Sequence, residues 1–344
     1  MAVKALRMVK YGTCTVWKQQ AIIKDENGLP NFMTVFFMDP KDGTPDEKDI
    51  PDIFKVNGKI MQGVAISQYH NTEIKGIPCS LPYAMPWEGM SLEKAVKAVK
   101  KKGSGWHLLT NTEFVYLLNE ADKIGHEIHG NTNYGKCAIA PEEKGVLYDG
   151  YCTLTGCEPL AWSHDGTEDG VFGLCGNYWE PVTGLRLREG MLEYIPENNA
   201  AAVDTGKESD AWKAAEVDGK KLKLSANDSS DVKLTTGEVE ENWGACHMCN
   251  LDVTEFENIP EIIFKLGIVP KDFKEKKEQA GLWVDSNLEE VTPFRGSSFY
   301  ITSYGGPAAL DLNGTRTLSG SNISLRSALL LENWELVTEA LEGA

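Results

Sequence analysis

The sequence predicts an α+β fold with short helices. Apolar, β-favouring runs such as 33–38 (MTVFFM) and 63–69 (GVAISQY) are bounded by turn-rich stretches, a pattern typical of short strands. Two amphipathic segments, 91–103 and 110–125, predict helices between such strands. With 344 residues, of which 42% are hydrophobic, the chain can bury the core of one large domain or two ordinary ones.

Charge and hydropathy exclude several classes of partner. The net charge of −17 gives an acidic surface that repels phosphate backbones and anionic lipid, so we expect no nucleic-acid binding. Apolar runs are too short for a membrane span or a signal peptide, so we expect no membrane insertion. These features predict synthesis in a cytoplasm, and a virion component released by lysis would show the same pattern.

Local signals set the bounds of the helices. In the first helix the apolar positions share one face and Gly103 ends it. In the second, Thr110 and Glu113 form a capping box and Gly125 ends it. A third helix is predicted within 258–269, with Asn258 as its cap.

Composition divides the chain into segments. Residues 1–60 are predicted to be β-rich and form either a small module or the outer strands of the main domain. The main domain spans 61–330 and contains a polar, turn-rich stretch at 197–245 that predicts an inserted lobe. The C-terminal tail, 331–344, predicts a short acidic helix that packs on the domain or on a neighbouring subunit of a homo-oligomer.

A segment rich in Ser, Gly, Tyr, Thr and Asn extends from 294 to 327. Such residues make an adaptable contact surface at a low entropic cost. Within it, Phe299, Ile301 and Ser303 alternate with three other residues, which predicts a strand over 299–304 with one buried face.

Three motifs resemble one family in order and content. The first is Gly-Trp-His-Leu followed by the capping box, at 105–114, and the second is Gly-Asn-Tyr-Trp-Glu, at 176–180. The third begins Arg-Gly-Ser-Ser-Phe at 295–299 and closes Ile-Ser-Leu-Arg at 323–326. Together they resemble the C-type-lectin-like fold of formylglycine-generating enzymes and of the variable proteins of diversity-generating retroelements. Ser replaces a Gly and Phe a Trp in the third motif.

The resemblance to the variable proteins implies a function. In that family, codons near the 3′ end are rewritten and the altered residues bind a receptor, as in phage tail-tip proteins. It implies a ligand-binding protein of a phage or prophage, found in a virion tail, whose partner is a host cell-surface receptor or another protein or glycan. The positions it implies as ligand contacts are Ser298, Tyr300, Ile301, Ser303, Tyr304, Asp311, Asn313, Gly314, Leu318, Gly320 and Asn322. It implies a scaffold role for Arg295, Leu310, Leu312, Ile323 and Arg326.

Enzymatic and structural alternatives remain. The oxidases of this fold bind copper through cysteines that follow the third motif, and 300–306 here has none. We therefore predict no enzyme activity, no cofactor and no metal site, with a divergent oxidase or a purely structural virion protein as alternatives. Cys246 and Cys249 form a C-x-x-C that is either a pair of buried thiols or a metal or redox pair. His126 and His129 are predicted to be solvated or capping residues.

Overall fold

Strands dominate the fold. The computed structural model describes residues 7–228, 230–275 and 280–343. The described residues form four α-helices: α1 Leu92–Lys100, α2 Asn111–Ile124, α3 Glu261–Lys265 and α4 Trp334–Glu342. None of these helices has the length and apolar character that crossing a bilayer requires.

Twenty-four strands are present in the described residues, and many are only two to five residues long. The first twelve are β1 Arg7–Tyr11, β2 Cys14–Lys24, β3 Pro30–Phe37, β4 Lys55–Val56, β5 Lys59–Ile60, β6 Gly63–Ser67, β7 Asn71–Ile74, β8 Ile77–Ser80, β9 Trp106–Leu108, β10 Leu147–Tyr148, β11 Cys152–Thr153 and β12 Glu180–Pro181. The others are β13 Leu185–Arg188, β14 Met191–Tyr194, β15 Lys213–Ala214, β16 Glu216–Val217, β17 Lys220–Lys221, β18 Lys223–Asp228, β19 Asp231–Thr235, β20 Trp243–His247, β21 Gly281–Asp285, β22 Glu290–Arg295, β23 Leu310–Gly314 and β24 Ser327–Leu331.

A six-stranded antiparallel sheet joins the two ends of the described chain. Its order is β1-β2-β3-β6-β24-β9, so β24 lies between β6 and β9. The N-terminal segment therefore supplies outer strands of this sheet, continuous with β6 through β3. Helix α4 packs on the same sheet: the rings of Trp334 and Phe37 are 5.9 Å apart, and Val337 is fully buried.

A ten-stranded sheet carries the segment of interest. Its main path is β19-β18-β14-β13-β22-β23-β21-β20, with β12 and β15 pairing at its sides. All neighbours are antiparallel except β21 and β23, which are parallel. The stretch 197–245 includes β18 and β19, and its Leu224 and Leu234 are fully buried. That stretch thus forms one edge of the sheet.

The starts of α1 and α2 follow the local signals, whereas α1 ends at Lys100 and not at Gly103. Ser91 caps α1, and the reciprocal Thr110–Glu113 box is formed at the start of α2. Gly125 ends α2 in the left-handed conformation, at φ 69°. The third helix is shorter than predicted, because it begins after Pro260 and not after Asn258.

One large hydrophobic core spans both sheets. Trp106, on β9, and Trp179, next to β12, belong to it, which confirms that both are core residues. A bridge between Trp179 and Ile323 connects this core to the segment 294–327.

Candidate binding face

Arg295 fixes the start of the segment. Its guanidinium is fully buried and donates four hydrogen bonds of 2.6–3.0 Å. Two go to the side-chain oxygen of Asn111 and the others to the backbone carbonyls of Leu266 and Gly267. Burying a charge this deeply requires full hydrogen bonding, and here neutral acceptors on α2 and the loop after α3 supply it. Arg295 is therefore a structural residue, as the motif implies.

Arg326 fixes the end of the segment. It donates to both carboxylate oxygens of Glu180, at 2.9 and 2.8 Å, and to the carbonyls of Ser67 and Phe172. His70 Nε2 lies 3.1 Å from the same carboxylate. Burial alone raises the pKa of Glu180, but the charges of Arg326 and His70 outweigh it and lower that pKa to about 2. This buried ion pair joins the C-terminal motif to the Gly-Asn-Tyr-Trp-Glu motif.

The stretch after Arg295 is irregular, not the predicted strand. Residues 299 and 300 form a turn, which the N–H of Ile301 closes by donating to the carbonyl of Ser298, and Thr302–Tyr304 is one turn of 3₁₀ helix. The alternation of Phe299, Ile301 and Ser303 is therefore misleading: Ser303 is exposed, while Phe299 and Ile301 are half-buried. The chain then enters β23 and leaves it through a second irregular loop, 315–326.

Nine of the eleven implied contact positions reach the surface. Exposed or half-exposed are Tyr300, Ile301, Ser303, Tyr304, Asp311, Asn313, Leu318, Gly320 and Asn322. Tyr300 and Leu318 are the most open of the large side chains, at 43% and 42%. Large side chains are exposed elsewhere on the described surface too, Tyr83 among them, so the exposure of these two matters here only because the motifs imply both positions as contacts.

Two implied contacts are buried, and for them the prediction is wrong. Ser298 has no exposed surface. Gly314 is buried because the space that a Cβ would fill is taken by the Phe294 ring, at 2.5 Å, and by Leu318, at 2.6 Å. Neither residue can contact a ligand in this conformation.

Aromatic rings outside the segment extend its surface. Tyr304 stacks on His247, with ring centroids 3.9 Å apart, and lies 5.8 Å from the ring of Trp283. Trp283 in turn makes an edge-to-face contact with the core ring of Trp179, at 5.5 Å. Trp283 is opposite Asp311 in the parallel pairing of β21 and β23, so both project to the same side of the sheet.

A second aromatic group supports the tip of the loop. The Phe299 ring lies 4.8 Å from that of Tyr151 and 5.2 Å from that of Tyr300. The hydroxyl oxygen of Tyr300 accepts a 3.1 Å hydrogen bond from the Asn322 side chain, which links the two irregular loops. We call the nine surface positions together with Trp283 and His247 the binding face.

Asp311 places a titratable group within the binding face. Burial raises the pKa of its carboxyl to about 7, and a hydrogen bond from the backbone N–H of Asn313, at 2.9 Å, opposes that rise. The face thus changes charge near neutral pH. Aromatic surfaces beside amide, hydroxyl and carboxyl groups are suited to recognition by stacking and hydrogen bonding.

Trp283 and His247 were not predicted from the sequence. Both lie on strands remote from the segment, and only the β21–β23 pairing brings them to it. Exposure alternates along β20: Trp243, Ala245 and His247 are at least partly exposed, and Gly244 and Cys246 between them are buried. This alternation with period two is the signal that would have indicated the strand.

None of the eight cysteines belongs to the binding face. All eight cysteines are free thiols and six are buried; in the C-x-x-C, Cys246 is buried and Cys249 is half-exposed. Burial raises the pKa of Cys246 to about 12, so its thiol stays protonated and unreactive at neutral pH.

Neither a protein-family model nor a curated protein matches this chain.

Proposed function

We propose that this protein binds a receptor through the binding face, on a C-type-lectin-like fold, as a phage or prophage variable protein diversified by a retroelement. The ligand is a protein or glycan on a host cell surface. One observation carries the proposal: nine positions implied by the motifs lie at the surface, where two further aromatic residues join them. Arg295 and Arg326, which lie at the two ends of this segment, are buried and fully hydrogen-bonded.

The burial of the implied scaffold residues, beside an exposed binding face, supports the lectin-like assignment. Leu310, Leu312 and Ile323 are buried, as a scaffold role requires. The three motifs also make direct contact: Asn111 binds Arg295, and Glu180 binds Arg326. A chance likeness of three separate motifs gives no reason for such contacts.

A library randomised at the nine surface positions tests the proposal. Folding is scored by cooperative unfolding, and binding by adsorption to candidate host cells. We expect most members to fold, because changes at exposed sites usually alter stability by about 0.5 kcal/mol or less. Adsorption should change from member to member, because aromatic anchors commonly contribute about 2 kcal/mol or more each.

Matched single variants sharpen the result. Tyr300→Ser and Leu318→Asn should abolish adsorption. Tyr83→Ser and Leu160→Asn remove similarly exposed side chains elsewhere and should leave adsorption unchanged. Widespread aggregation of the library would show that the nine side chains are structural. Normal folding with unaltered adsorption would favour a structural virion protein, and oxygen consumption on a thiol substrate would favour the oxidase alternative.

A further inference from the structure

Three side chains with metal-ligating atoms meet in the loops that follow α2. One ligand atom each from His129, Cys137 and Glu143 lies within 4.8 Å of the other two. In the part of the chain that the structure describes, this is the group of His, Cys, Asp and Glu side chains that satisfies such spacing. The sequence predicts a solvated or capping role for His129. In the structure its ring is mostly buried, with 18% of the side chain exposed.

The backbone holds these residues close together. The N–H of Cys137 donates to the carbonyl of Glu143, at 3.3 Å, and the N–H of Glu143 donates to that of Ala140, at 2.9 Å. The loop therefore closes on itself and brings the thiol and the carboxylate to one place. The N–H of His129 donates to the carbonyl of Ala161, at 3.1 Å, which fixes the histidine backbone beside them.

A buried tryptophan orients the carboxylate. Trp162 Nε1–H donates to Glu143 Oε2 at 2.8 Å, and that same oxygen lies 2.9 Å from His129 Nδ1. Trp162 is 1% exposed and packs with Cys137 and Ala140 in a small cluster of its own. Hydrogen bonds of this kind orient metal ligands in many proteins and contribute to metal affinity.

His129 and Cys137 also border a cleft of about 1010 Å³. The cleft lies between α2, the loop after α3 and residues 303–308, so it is separate from the binding face except near Ser303. Ligands from three residues leave one position of a tetrahedral ion open, the usual arrangement when a water or small ligand completes the shell.

We propose that His129, Cys137 and Glu143 bind a zinc ion whose fourth position opens toward this cleft. A thiolate, an imidazole and a carboxylate together suit zinc better than the hard ions magnesium and calcium. Binding exchanges the His129–Glu143 contact for bonds to the ion and releases the Cys137 thiol proton to solvent. The proposal does not depend on the binding function.

Cobalt(II) is the probe for the test, because it takes zinc sites and reports its ligands. The full-length protein should bind one cobalt at micromolar concentration, with an intense thiolate-to-metal band in the near ultraviolet, and zinc should displace it. Cys137→Ser should remove the band and weaken binding by more than about 100-fold. Trp162→Phe keeps the ring but loses the N–H, and should weaken binding about 10-fold with the band retained.

Cys249→Ser is the matched control, because Cys249 is a half-exposed thiol of the C-x-x-C. It should leave the band and the affinity unchanged. The proposal fails if wild-type protein binds no cobalt at micromolar concentration. It also fails if Cys249→Ser, and not Cys137→Ser, removes the band. If Cys137→Ser does not fold, Glu143→Gln replaces it, and unchanged affinity in that variant refutes the proposal.

Discussion

Replacing Glu180 with glutamine removes the negative charge that faces Arg326 while keeping the size of the side chain. The guanidinium then stays fully buried without a counter-charge, and His70 loses its carboxylate neighbour. Breaking a buried pair in this way costs about 3–5 kcal/mol. The lowering of the Glu180 pKa from 4.5 to about 2 corresponds to about 3 kcal/mol, which agrees with that range.

The pH dependence identifies the cause. Because the folded-state pKa of Glu180 is lower than the unfolded value, its contribution is complete above pH 4.5 and is lost as pH falls toward 2. Urea unfolding of the wild type and of Glu180→Gln should therefore differ most at pH 7. The difference should shrink steadily between pH 4.5 and pH 2.

An exposed pair provides the control. Glu289 lies 2.7 Å from Lys207 at the surface, so Glu289→Gln makes the same chemical change without burying a charge and should leave the unfolding midpoint close to that of the wild type. Equal midpoints for Glu180→Gln and the wild type at pH 7 would refute the argument. A difference that stays constant down to pH 2 would show that packing, not charge, accounts for the loss.

Two further predictions concern the segment 294–327. Asp311→Asn should raise the free energy of unfolding at pH 8 by on the order of 1–3 kcal/mol. The pKa of the wild-type carboxyl is raised from 3.8 to about 7, so the wild-type protein loses stability as pH rises through that interval. Urea unfolding at pH 4 and pH 8 checks this, and a difference between variant and wild type that is the same at both pH values contradicts it. Gly314→Ala should lower the free energy of unfolding by about 1–3 kcal/mol, because the new Cβ meets the Phe294 ring at 2.5 Å. In the control, Gly320→Ala, the new Cβ meets only the end of the Asn322 side chain, so this variant should keep the stability of the wild type. Equal unfolding midpoints for the two variants would contradict this.

Local signals allowed prediction of the elements that form within a few residues. The capping box of Thr110 and Glu113 and the glycine that ends α2 depend on near neighbours only, so the sequence predicts both. The third helix was overestimated because Asn258 has a cap-like identity, but the chain turns helical only after Pro260. Likewise, alternation over 299–304 has the period of a strand, yet among the residues that the structure describes no partner strand pairs there and a turn forms.

Non-local pairing determined what sequence could not predict. The position of β24 between β6 and β9, and of β21 beside β23, joins residues far apart in the chain. This pairing makes Trp283 and His247 neighbours of the segment. The same limit applies to Ser298 and Gly314: their residue types suit a surface, but Ser298 is fully buried and Gly314 lies against the Phe294 ring.

The way the segment is held gives a physical account of how the proposed variation is tolerated. The bonds that set its path are the side chains of Arg295 and Arg326, the β23 ladder, and the backbone bonds between Trp179 and residues 322 and 324. None of these bonds uses a side chain from the nine surface positions. Exchanging those side chains therefore leaves these bonds in place, although it removes the Tyr300–Asn322 hydrogen bond that also links the two loops. Trp283 and His247 lie outside the segment and stay in place when it varies. A ligand on the proposed binding face would therefore meet two fixed aromatic contacts beside a set of changeable ones, so specificity can alter without loss of those anchors.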